Sequence, residues 1–241
     1  MRPSKRTGFG HGVYESSKSK KEIVGTYRAT QDNRGFRYIL AGASNLAVGK
    51  ATSSVAEDAN LVDENVASGQ ASAIGAQVVL FTAGGATTLA KDELEGGFYS
   101  VNDATGEGQM RRISGNPAAA AATILTITLD EPLKVATVVT TTQHTIIHNP
   151  WSKVVLQATA TIFPTGVPQV AIPLANYGWS QTKGWGTAWH QEATTPGEEL
   201  IHGGTDGQLV INTGYVSQVV GWMGPATPGI AEYQPVYFVI D

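Results

Sequence analysis

His144 and His148 stand four residues apart in Gln143-His-Thr-Ile-Ile-His148, the spacing that first invites a metal reading. On a helix both imidazoles would share one face. Thr145-Ile146-Ile147 favours a strand instead, where residues four apart lie about 13 Å from one another. Zn–N bonds of about 2.0–2.1 Å do not span that gap unless the chain bends. His190 and His202 fall in turn-rich sequence and are expected as ordinary surface or interface residues. Asp92, Glu93 and Glu95 are close in sequence, but glycoside hydrolysis needs two carboxylates facing across a cleft, so a solvated loop is expected. Gly42 to Lys50 has six residues between its glycines and Ala51 after the lysine. A phosphate loop needs four, then Ser or Thr. Neither a G-x-S-x-G elbow nor a Ser–His–Asp set can be assigned. Cysteine is absent, which removes disulfides, Cys-based zinc and thiol catalysis. The expectation is a protein without cofactor or metal, and not an enzyme.

Charge carries more information. Residues 1–37 hold nine Lys/Arg against three acids, while the whole chain has a net charge of −4, so a basic N-terminus precedes an acidic body. Arg2, Lys5, Arg6, Lys18, Lys20, Lys21 and Arg28 are the candidate interface residues of this arm. Basic tails can neutralise phosphates. This one has few aromatics (Phe9, Tyr14, Tyr27) and no nucleic-acid module, so a clamp on an acidic protein surface is preferred over nucleic acid, with simple disorder as the third reading. Arg111-Arg112, a single pair in an acidic body, is a weak nucleic-acid signal. Charged residues make up 15% of the chain against about 25% in ordinary domains, which suggests surface that meets other protein. A compact β protein rich in short turns has the same composition. No apolar run approaches the ~20 residues of a membrane helix, and no membrane partner is expected.

Tryptophan is concentrated where charge is scarce: Trp179, Trp185, Trp189 and Trp222. A core role is the default for any one of them. Trp185 and Trp189, beside Gly184 and Gly186, are expected in a turn and, with Trp179, are the candidate aromatic interface, because Trp is enriched at binding hot spots.

The elements that would position these residues are strands. Ala76–Thr82, Gly97–Val101, Gln109–Ile113, Thr123–Leu129, Val135–Ile147, Lys153–Thr161, Leu209–Asn212, Val216–Trp222 and Pro235–Ile240 are short β-type runs between Gly, Asn and Pro signals, with Tyr38–Leu40 as a first strand. Asn116-Pro117 before the alanines starts a short helix or serves as a hairpin loop. A short helical turn is expected within 55–72. The fold class is all-β, a sandwich or barrel of short antiparallel strands with an extended N-terminal arm. Residues 1–54 form the basic arm and lead-in, with 1–35 ordered only by a partner, and 55–241 form a single β-rich body.

Two stretches resemble a known family. Gly96-Gly-Phe-Tyr-Ser-Val-Asn-Asp-Ala-Thr-Gly-Glu-Gly-Gln-Met-Arg-Arg-Ile113, followed by an alanine loop and Leu125-Thr-Ile-Thr-Leu-Asp-Glu-Pro-Leu133, is similar to a strand–turn–strand unit of tailed-bacteriophage decoration (cement, or auxiliary head) proteins. Ala175-Asn-Tyr-Gly-Trp-Ser-Gln-Thr-Lys-Gly-Trp-Gly186 is similar to their aromatic signature, with Ser180 where that signature carries an apolar residue. Val220-Gly-Trp-Met223 and the C-terminal strand also fit. The resemblance covers about 75–241. It implies a structural virion protein on the capsid surface, a homotrimer that binds the major capsid protein and copies of itself and stabilises the shell. The alternative reading is a receptor- or glycan-binding module of a viral tail fibre, with Trp185 and Trp189 as sugar-stacking platforms.

Overall fold

The computed structural model describes residues 9–157, 163–203, 206–214, 218–225 and 229–241. The chain is nearly all β, with 46% strand against 1% helix. In chain order the strands are β1 (Tyr27–Ala29), β2 (Gly35–Leu40), β3 (Thr52–Ser53), β4 (Glu64–Asn65), β5 (Val78–Leu89), β6 (Phe98–Asp103), β7 (Met110–Gly115) and β8 (Ala119–Leu129). They continue with β9 (Gln143–Ile147), β10 (Val155–Leu156), β11 (Pro164–Pro168), β12 (Tyr177–His190), β13 (Glu199–Gly203), β14 (Gln208–Ile211), β15 (Val219–Met223) and β16 (Glu232–Val239). Among the described residues no helix is long and apolar enough to cross a membrane.

The chain divides into two compact units, residues 1–55 with 150–241, and residues 56–149. This corrects the expectation of an arm followed by one body. Residues 150–157 return to the first unit through backbone hydrogen bonds such as Leu40 N–H to Trp151 O (3.0 Å) and Val154 N–H to Leu40 O (2.8 Å). The crossings at Val55/Ala56 and Asn149/Pro150 involve no Gly- or Ser-rich linker, so composition gave no boundary.

In the second unit the sheet runs β4-β9-β6-β7-β8-β5. β5 pairs with β8 in a long hairpin, and β6 with β7 in a shorter one. The alanine run is strand, not helix: Ala119 opens β8 opposite Leu89. β5 also runs through Gly84-Gly85, where the sequence suggested a stop. A single 3-10 turn, Ala59–Leu61, is capped by the Asp58 carboxylate accepting from Asn60 N–H. The core of this unit gathers Phe81, Leu94, Tyr99, Ile113, Leu125 and Ile146 with their neighbours. His144 lies inside it, stacked on Phe81 with ring centroids 4.2 Å apart. Its Nε2 accepts from Thr82 N–H, which leaves the Nδ1 proton to face the Tyr99 hydroxyl at 3.2 Å.

In the first unit β12 is the spine. Its first half pairs with β2 on one edge and β11 on the other. After a bulge between Gln181 and Lys183 its second half pairs with β16 and meets β14 in a short parallel contact. Strands that change sheets at bulges make such corners. The pairings β12–β14, β14–β13, β13–β15, β15–β16 and β16–β12 close a ring of five strands, a small barrel whose β12–β14 seam is the single pair His190 and Leu209. Ala188, Leu200, Leu209, Val220, Met223 and Phe238 fill its interior.

Residues 9–24 are not an arm awaiting a partner, and residues 1–8 of the expected arm lie outside the described residues. Val13 is buried with Phe36, Tyr38 and Trp179, and Phe9 packs edge-on against Trp179 at 5.4 Å. Residues 9–24 are therefore a strap across β2 and β12. Three apolar side chains (Phe9, Val13, Val24) on a cluster of large rings offset the ordering entropy that the polar composition appeared to leave uncompensated.

Candidate binding face

The second half of β12 alternates between the two sides of the barrel wall. Gly184, Gly186, Ala188 and His190 point inward, while Trp185, Thr187 and Trp189 point outward. The small inward residues are forced by packing: a Cβ on Gly186 would lie 2.7 Å from a Phe238 ring carbon. These glycines made the segment look like a turn, which corrects the placement of Trp185 and Trp189. They stand on a fourteen-residue strand.

Register lines up the outward side chains of three adjacent strands. Trp222 on β15 is opposite Tyr237 on β16, and Tyr237 is opposite Trp185 on β12. Trp222 and Tyr237 are stacked with centroids 6.5 Å apart, and Trp185 meets Tyr237 edge-on at 5.3 Å. A second row pairs Tyr233 with Trp189, edge-on at 5.2 Å. Four residues separate the rows along β16, about 13 Å. Between them lie Pro235 and Thr187, directly opposite each other, and Gly224, whose N–H donates to Pro235 O. The face is thus two aromatic ridges flanking a low trough. Trp185 is 52% exposed, Tyr233 47% and Trp222 39%.

The ends of the trough differ in charge. Glu199 on β13 is opposite Trp222, and its carboxylate accepts from Asn212 Nδ2 at 3.2 Å. Gly197, Glu198, Glu199, Ile211 and Asn212 line an open depression of about 360 Å3 at that end. At the other end Lys50 Nζ lies 5.0 Å over the Trp189 ring, and burial of the ammonium against it pushes the Lys50 pKa down, partly opposed by Asp206. The indole N–H groups of Trp185, Trp189 and Trp222 and the hydroxyls of Tyr233 and Tyr237 donate to none of the described residues.

The remaining expected interface residues are distributed differently. Arg2, Lys5 and Arg6 lie outside the described residues. Lys18, Lys20 and Lys21 are exposed on the strap. Arg28 is half-buried and engaged within the chain: its guanidinium lies 4.8 Å over Phe9 and 5.7 Å over Trp179 and donates to His11 O at 2.7 Å. Trp179 is fully buried, its indole N–H donating to His11 O, so it is a core residue and not an interface anchor. Arg111 donates to Pro132 O and Met110 O, and Arg112 pairs with Asp130 at 3.6 Å. The His148 imidazole meets the Glu57 carboxylate at 2.6 Å. Among the described residues no group of three His, Asp or Glu side chains is placed to hold a metal ion.

His190 and His202 are the residues that sequence reasoning misplaced. Both are buried on the inner side of the barrel, in register with Leu209 between them. Among the described residues the His202 side chain has no hydrogen-bond partner, and neither has His190 Nε2. Burial pushes both pKa values down, that of His202 to about 3. The signal was the alternation Leu200-Ile201-His202 and Ala188-Trp189-His190, which puts each imidazole on the side of an apolar residue two positions away.

Compared with known proteins, the chain matches no family model, no curated protein and no solved structure.

Proposed function

We propose that this chain is a structural, non-enzymatic virion protein: a decoration or cement protein that binds the outside of a phage capsid and stabilises it through contacts with the major capsid protein and with copies of itself. The observation that carries this reading is the pair of exposed aromatic ridges, Trp222–Tyr237–Trp185 and Tyr233–Trp189. Contiguous exposed apolar surface on a protein in water marks a surface made to be covered. Large aromatic rings bury 150–250 Å2 each and dominate interface energetics. Because the rings stand on three paired strands, β15, β16 and β12, they are presented at fixed spacing and little order is lost on binding. The resemblance of Gly96–Ile113 and Ala175–Gly186 to decoration proteins supplies the class of partner. Attachment repeated over a lattice needs only modest affinity at each contact. Homotrimeric assembly belongs to the same proposal.

The test is co-sedimentation with heads of the virus that encodes the chain. The wild type should pellet with them, and replacement of the exposed rings should leave it in the supernatant. A second reading, a glycan-binding module of a tail fibre, is favoured by one observation: the Glu199 carboxylate and Asn212 amide beside the Trp222 indole, an arrangement able to hold sugar hydroxyls against a ring. A glycan array that loses its signal with Trp185→Ala or Trp222→Ala would select it.

A further inference from the structure

We infer that the trough between the aromatic ridges receives an extended, proline-bearing peptide segment of the protein partner, held in the polyproline II conformation. This rests on the reading of the face as a protein-binding surface and names what fits it.

The shape calls for a linear occupant. The trough is floored by Gly224, Pro235 and Thr187 and crosses three strands, about 10 Å, which is close to three residues of polyproline II at 3.1 Å each. Its two walls carry rings along their length, and prolyl rings pack on aromatic faces in grooves of this kind.

Hydrogen-bonding chemistry narrows the choice further. The rings of both walls carry polar groups that pair with none of the described residues: the indole N–H groups of Trp185 and Trp222 with the Tyr237 hydroxyl on one, and the Trp189 N–H with the Tyr233 hydroxyl on the other. Indole is a donor only. A polyproline II segment has no internal hydrogen bonds, and each proline lacks an N–H, so it offers carbonyl acceptors and few donors. Most of these groups can only donate, which an acceptor-rich ligand complements. A saccharide offers donors as freely as acceptors, and beside the Tyr233 and Tyr237 hydroxyls the carboxylate able to accept from it stands at one end of the trough and not along it. Lys50 at the β12 end and Glu199 at the β15 end fix a direction: acidic residues of the segment lie toward Lys50 and basic ones toward Glu199.

The test is titration of the full chain with a decaproline peptide, followed by tryptophan emission, with a Gly/Ser peptide of equal length and cellohexaose as parallel probes. Decaproline should shift and quench emission saturably, and the other two should not. Trp185→Ala should weaken binding about tenfold or more. Trp185→Phe, which keeps a ring but loses the donor, should weaken it less. Thr187→Arg should block the trough while both ridges remain intact. No response to decaproline, a response equal in Thr187→Arg, or a response to cellohexaose in its place overturns the inference. If decaproline fails while Trp185→Ala still abolishes attachment to heads, the occupant is wrong and the binding face stands. If neither experiment responds, both fall.

Discussion

Arg37 and Asp241, 204 positions apart, form a two-pronged ion pair, with Nε to Oδ2 at 2.8 Å and Nη2 to Oδ1 at 3.2 Å. The guanidinium also lies 5.1 Å from the Tyr27 ring and 4.7 Å from the Trp151 ring and donates to Gly25 O. One side chain thus ties the last residue of the chain to β2. Both partners are about a quarter exposed, so solvent screens the pair. Asp241→Ala should cost about 0.5–1 kcal/mol, and Arg37→Ala more, because it also loses the ring contacts. Denaturant midpoints of the two variants check this. Equal costs would mean the ring contacts contribute nothing.

Acid should loosen both units. His144 and His202 are buried as neutral imidazoles, with pKa values pushed down by desolvation to about 4 and about 3. In the unfolded chain each titrates near 6.5, so the unfolded state binds protons that the folded state refuses. Their contribution to stability is complete above about pH 6.5 and declines as pH falls toward the folded values, at up to about 1.4 kcal/mol per pH unit for each group. His202→Leu should flatten that slope by close to one proton between about pH 6 and pH 4. Urea unfolding across this range measures it; an unchanged slope would place the His202 imidazole in contact with water.

The strap makes a separate prediction. Phe9, Val13 and Arg28 are held by Trp179, so Trp179→Ala should cost about 3–5 kcal/mol in the first unit and release residues 9–24. Trypsin would then cleave at Lys18, Lys20 and Lys21 at concentrations that leave the wild type intact. Equal digestion of both proteins would return the N-terminus to the status of an open arm.

Much of the β architecture was legible in the sequence because turn signals bracket β-branched runs, as at Thr123–Leu129, which is the C-terminal part of β8. The longest strand was not. In β12 the inward positions hold Gly186, where Phe238 and Gln181 leave no room for a Cβ, and Gly184, which Asn33 and Arg34 crowd, so tertiary crowding removed the apolar alternation that would have announced a strand. The ridges needed register as well as residue type: Trp222, Tyr237 and Trp185 meet only because β15, β16 and β12 are neighbours in a closed ring. Tryptophan count pointed to the right region, yet it included Trp179, which lies on the other half of β12 beneath the strap. Composition of residues 1–35 misled for a related reason. Few apolar residues suffice when they land on Tyr38 and Trp179.

Trp185 offers the most direct test of the binding face. It is half exposed and its partner ring Tyr237 remains supported by Trp222, so Trp185→Ala should change the unfolding midpoint little. The measurement is co-sedimentation of the folded variant, beside the wild type, with the phage heads that the proposed function assigns as its partner. The account predicts that the wild type pellets and the Trp185→Ala variant stays in the supernatant. A Trp185→Ala variant that pellets as fully as the wild type would contradict it.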